Sequence, residues 1–189
     1  MTTGQTQKDN YDKFAQEYLR RAGGLYGDAY RRFNQERYPE VVSAVQEALE
    51  LTVKGIFRAA GVDPPTHHQI DDRRFREELR NVRKAVRSWN PKEDEWQTMG
   101  IGRVFFLAGL WAQVYTQAKY GSEALDLSPS ELIGRCEAAL ALSHFGEVVT
   151  RITGSLVKSK GVAELPFPKV QLNCVVVDGE GIASPGAPP

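Results

Sequence analysis

The chain has 189 residues, 41% hydrophobic and 25% charged, with Lys+Arg and Asp+Glu at 24 each. This size and balance suit one domain plus extensions, with a core that needs neither disulfides nor metals, and zero formal net charge excludes a global pull toward nucleic acid or membranes. MTTGQTQKDN lacks the apolar run of a signal peptide, and the longest apolar run, Val104 to Leu110, is far too short for a bilayer, so a cytoplasmic protein is expected.

Residues 1–9 are polar and read as a disordered lead. From Asn10, a plausible N-cap, the residues Tyr11, Phe14, Ala15, Tyr18 and Leu19 recur at helical spacing, and Leu25, Tyr26, Ala29, Tyr30 and Phe33 resume the pattern after Gly23-Gly24. Each interior glycine costs only about 1 kcal/mol, so one long helix to about Gln35 is predicted, with the glycines as its weak point. The second helix is the best bounded. Val41, Val45, Ala48, Leu49, Thr52, Ile56, Phe57 and Ala60 form one apolar stripe. Pro39 stands where its missing N–H costs nothing, Gly61 is the stop, and Pro64-Pro65 forbids continuation.

Thr66 and Gln69 have capping-box spacing for a third helix carrying Ile70, Phe75, Leu79, Val82 and Val86 on its apolar side. Asn90-Pro91 breaks it and can start a fourth helix, with Gly100 and Gly102 as potential interruptions and Val104, Phe105, Ala108, Trp111, Val114, Tyr115 and Ala118 as its apolar face. Gly121 is its stop. Ser128-Pro129-Ser130-Glu131 combines a capping box with a first-turn proline and predicts a last helix using Leu132, Ile133, Cys136, Ala139, Leu140, Ser143, Val148 and Ile152, ending between Gly154 and Lys160. Cys136 reads there as a small buried hydrophobe. Small residues at Ala138, Ala139 and Ala141 allow close approach to the second helix. The fold class is thus all-α, an up-and-down bundle of four to five helices over residues 10–160. Residues 161–189 form an irregular tail with a short β-favouring run, Val170 to Val177.

No Cys/His grouping has metal-ligand spacing, so neither metal nor cofactor is expected. A phosphate-cradling glycine loop, a dinucleotide fingerprint and a nucleophile elbow are absent from the sequence. Arg73, Arg76, Arg80, Arg83 and Arg87 recur at three- and four-residue steps on one helix face, a stripe able to follow a phosphate backbone. Asp71, Asp72, Glu77 and Glu78 lie among them and offer the alternative of a solvated, ion-paired face. Trp89, Trp96 and Trp111 can stack on bases, although Trp111 sits on an apolar face. Glu50 and Lys54 have the better i,i+4 orientation for a helix ion pair. His68 can touch a phosphate or cap a helix.

RYPEVVSAVQEALELTVKGIFRAAGVDPPTHHQI and AKYGSEALDLSPSELIGRCEAALALSHFGEVV carry a resemblance to the HEPN family of small helical proteins over roughly residues 10–155. The resembling features are Glu50, Lys54, Pro64 or Pro65, His68 before Ile70, and Tyr120-Gly121. The resemblance implies a helical homodimer that binds nucleotide or RNA, or acts as the partner of a nucleotidyltransferase, or both, in a defence or toxin–antitoxin type system. Together with the arginine stripe it gives Lys54, His68, Arg73, Arg76, Arg80, Arg83 and Arg87 as the candidate nucleotide- or RNA-binding residues. Ribonuclease members of the family carry an Arg followed four to six residues later by a His. Here Arg135 and His144 are nine apart, about two and a half turns, and share a helix face only approximately. Arg58 precedes His67 by the same gap. The expectation is therefore a non-catalytic member, with a divergent metal-independent ribonuclease built on Arg135 and His144, or a structural adaptor bundle, as alternatives.

Overall fold

A computed structural model describes residues 3–65, 76–89 and 94–160. They form α1 (Thr3–Asn34), α2 (Tyr38–Ala59), α3 (Arg76–Trp89), α4 (Asp94–Tyr120), a 3₁₀ turn (Glu123–Leu125), α5 (Pro129–Leu132) and α6 (Arg135–Lys160). The described residues hold no strand, only a bridge between Ser122 and Leu127, so the architecture is the all-α bundle that the periodicity predicts. The Thr66–Gln69 cap, Ile70, Phe75, Asn90-Pro91 and the Val170–Val177 run lie outside the described residues.

The helix α1 passes through Gly23-Gly24 without a break, and it begins at Thr3, inside the stretch read as a lead. Ala15, Leu19, Ala22, Tyr26 and Ala29 are buried at alternating four- and three-residue steps, which makes one narrow stripe of mostly small residues. The stripe packs on α2 closely enough that a Cβ added at Gly55 would stand 2.9 Å from Leu19 Cγ. A tight turn joins the pair. Glu36 takes a left-handed φ of 60°, and Arg37 N–H donates to the Arg32 carbonyl at 3.0 Å.

α2 is the centre of the bundle and touches α1, α4, α5 and α6. Its buried residues run around most of the helix, from Val41 and Val42 to Phe57 and Ala59. They include Thr52, whose hydroxyl donates to the Ala48 carbonyl at 2.8 Å. The C-terminus closes as a Schellman motif: Gly61 has φ 73°, its N–H donates to Arg58 O at 2.9 Å, and Val62 N–H donates to Phe57 O at 2.9 Å.

α4 runs unbroken through Gly100, Gly102 and Gly109. Val104, Leu107, Ala108 and Trp111 face the core, and Phe105 meets Phe57 edge-on at 5.9 Å. Gly121 ends α4 with φ 76°, in a turn where a Cβ would collide with the Leu127 carbonyl. The Glu131 carboxylate then accepts from Ser128 N–H at 2.8 Å and from the Ser128 hydroxyl at 2.6 Å. These bonds, the hydroxyl first, hold the Glu131 carboxyl below its ordinary value.

Here the structure corrects the single last helix read from the sequence. The capped turn is only α5. Ile133 is extended, with φ −115° and ψ 102°, and it buries its side chain in the core. α6 starts afresh at Arg135, where Glu137 accepts from the Gly134 N–H at 2.9 Å. The restart changes which residues face inward. Ala138, Ala141, Leu142 and Phe145 are buried, Leu140 is 50% exposed, and Cys136 is an exposed free thiol rather than a core residue. Phe145 stacks on Tyr26 at 4.9 Å, and burial pushes the Tyr26 hydroxyl above its ordinary value. No described helix is long and apolar enough to cross a membrane.

Candidate nucleic-acid interface

The helix α3 is built to hold a charged face outward. Val82 and Val86 are buried, and Leu79 packs partly against the same core. With about 100° between successive residues, fixing that side fixes the rest. Arg76, Arg80, Arg83 and Arg87 follow one another along a single adjoining face, flanked by Lys84. Arg80, Arg83, Lys84 and Arg87 are exposed. Glu77 and Glu78 sit in the first turn, where they favour the helix dipole; at 100° per residue Glu78 points away from the stripe and Glu77 borders it on the Lys84 side. Within 4.0 Å, Arg80, Arg83 and Lys84 have no acidic partner among the described residues, and Asp71 and Asp72, which the ion-paired alternative invokes, lie outside those residues. His67, His68, Arg73 and the side chains of Arg76, Trp89 and Trp96 lie outside the described residues.

Lys54 stands apart from that stripe. It is half-buried on α2 and donates to Glu50 at 2.6 Å, the structural pair its spacing suggests. Gln46 also reaches Glu50, at 3.5 Å.

Arg135 and His144 are not brought together. Two and a half turns carry them to opposite sides of α6: the Arg135 guanidinium lies over the Phe33 ring of α1 at 6.0 Å, whereas the His144 ring stands 6.0 Å from that of Trp111 on α4. Around His144 the structure assembles residues that sequence reasoning left apart. Arg103 of α4 donates to Glu147 of α6 at 2.9 Å, one turn from the imidazole. Burial holds His144 below its ordinary value, the charge of Arg103 acts the same way, and Glu147 opposes both. His144 Nδ1 and Trp111 Nε1 are buried without a hydrogen-bond partner among the described residues. No group of three or more His, Cys, Asp or Glu among those residues is placed to hold a metal. The contact between residues 103 and 147 has no local sequence signal, because each sits in an ordinary helical run and only the packing of α4 on α6 joins them.

The comparisons with known proteins agree with this layout at the level of the domain. The HEPN domain family model matches residues 15–99, which takes in most of α1, all of α2 and α3, and the start of α4. No curated protein and no solved structure matches the chain. Over residues 15–99, which include the central helix and the arginine stripe, the chain is similar to the HEPN domain family.

Proposed function

We propose that this HEPN-like protein binds RNA through the arginine face of α3. One observation carries the reading: Arg80, Arg83 and Lys84 project from one exposed helix face, free of acidic partners among the described residues, in line with Arg76 and Arg87. Guanidinium groups offer a fixed fork of donors that suits phosphate oxygens, and a row at one-turn spacing can follow a backbone without reading its bases. The face lies inside the HEPN match, which favours an RNA-related role over an unrelated adaptor. The family resemblance supports a homodimer with a nucleotidyltransferase partner. The test is a titration of the full chain with short single-stranded RNA at two salt concentrations. Affinity should fall steeply with salt, because each phosphate contact releases a counterion. Tight binding without salt dependence, or no binding at all, sinks the reading.

The His144 cluster favours a second reading, RNA cleavage. A neutral imidazole can take the proton of a ribose 2′-hydroxyl as that oxygen attacks the phosphorus and the 5′-oxygen leaves, while Arg103 offsets the charge gathering on the phosphate. Loss of cleavage in both His144→Ala and Arg103→Ala, with Arg135→Ala unaffected and a 2′-deoxy substrate left intact, would support it. RNA binding without cleavage leaves the first reading alone.

A further inference from the structure

Two nitrogens on neighbouring rings of α4 and α6 are buried without a hydrogen-bond partner among the described residues: Trp111 Nε1 and His144 Nδ1. Trp111 is only 4% exposed. The ring centres stand 6.0 Å apart and the planes are tilted by 60°. A buried N–H left unpaired costs more than an ordinary hydrogen bond contributes, and buried polar atoms nearly always find a partner in protein or in ordered water. Two such atoms on adjacent rings point to one shared partner.

The indole fixes the chemistry of that partner. Nε1–H donates and cannot accept, so the atom beside it carries a lone pair. A metal ion or an ammonium group does not fit. An imidazole nitrogen accepts when bare and donates when protonated, and a water oxygen satisfies either form. Two hydrogen bonds of about 2.9 Å in series reach about 5.8 Å, the scale of the ring separation. A buried water makes about three hydrogen bonds, and the second lone pair of a helix carbonyl can take the third. One turn along α6, the Arg103–Glu147 pair spans the same two helices at 2.9 Å.

We propose that one buried water bridges Trp111 Nε1 and His144 Nδ1, and that through it Trp111 is a positioning residue for the imidazole. With Nδ1 tied inward, Nε2 is the nitrogen left to meet a ligand. The water site does not depend on RNA, whereas the positioning role rests on the cleavage reading of His144.

The test uses the full chain labelled with nitrogen-15. NMR should show cross-relaxation between the Trp111 indole proton and a water held longer than surface water. Trp111→Phe keeps a ring but no donor. It should remove that signal and shift the His144 Nδ1 resonance more than the Nε2 resonance, with circular dichroism unchanged. His144→Leu removes the other partner and should abolish the same water signal, so the assignment stands even where Trp111→Phe fails to fold. No water signal at the indole proton of the parent, or an unmoved Nδ1 resonance in folded Trp111→Phe, overturns the bridge. With RNA, Trp111→Phe should lower kcat by up to about a hundredfold and leave KM unchanged. An unchanged kcat overturns the positioning role. No cleavage by the parent ends the cleavage reading and the positioning role with it, while the water signal still decides the bridge.

Discussion

Arg103 and Glu147, 44 residues apart, meet at 2.9 Å across α4 and α6, and His144 stands one turn from that pair. Both partners are substantially solvent-exposed, so the pair contributes little to stability, about 0–1 kcal/mol. Its effect falls on the imidazole. Arg103→Gln should raise the His144 pKa and Glu147→Gln should lower it, read by titrating the ring resonances by NMR. Shifts of the same sign in both variants would show that the two charges do not act on His144.

The depressed His144 value also sets a pH dependence. The imidazole binds fewer protons in the folded chain than in the unfolded one. Its contribution to stability is therefore present above the ordinary imidazole value, about 6.5, and declines as pH falls from there toward the native value. His144→Gln should flatten the acid side of the stability profile in that window and leave the profile above neutrality parallel to that of the parent. Denaturant midpoints measured across the range would show it.

The α1–α2 contact predicts a packing defect. Leu19 is fully buried and cannot swing away from a methyl at Gly55. Overpacking costs about 1–3 kcal/mol, against about 1 kcal/mol gained by replacing a helical glycine with alanine. Gly55→Val enlarges the clash without the full helical gain and should lower the melting temperature by several degrees, at about 2–4 °C per kcal/mol for a domain of this size. Gly24→Ala, with nothing within 4 Å of the added carbon, should be neutral or stabilising.

On α3, replacing Arg83 with Ala should weaken RNA binding equally for all sequences and reduce the salt slope by about 0.7, the value for one phosphate contact on a single strand. Arg80→Glu with Arg83→Glu should remove most of the salt-dependent binding while thermal melting stays unchanged. Glu77→Gln should slightly strengthen binding. An affinity insensitive to all three changes would place the RNA site elsewhere.

Most of the bundle is legible in the sequence because its helices are marked at both ends. α2 has Pro39 in its first turn and Gly61 as its stop, and its Schellman closure is the geometry a glycine there predicts. Less legible is the break at Ile133-Gly134. The apolar pattern runs smoothly from Leu132 to Cys136, and only tertiary packing shows that Ile133 gains more from turning into the core than from continuing the helix. That one break rotates the whole of α6, so Cys136 and Leu140 face solvent instead of the core. The arginine stripe is readable because it lies on one helix with a fixed period. The surroundings of His144 are not, because Arg103 and Trp111 come from a different helix and no spacing rule links them.

The burial of α2 on most of its circumference divides the chain by mutational freedom. A substitution scan should find few neutral positions between Val41 and Ala59, since almost any change there is felt by a neighbouring helix. On α3 only Leu79, Val82 and Val86 among the described side chains are tied to the core. Its arginine face can therefore exchange residues to suit a different ligand while the scaffold beneath it stays the same.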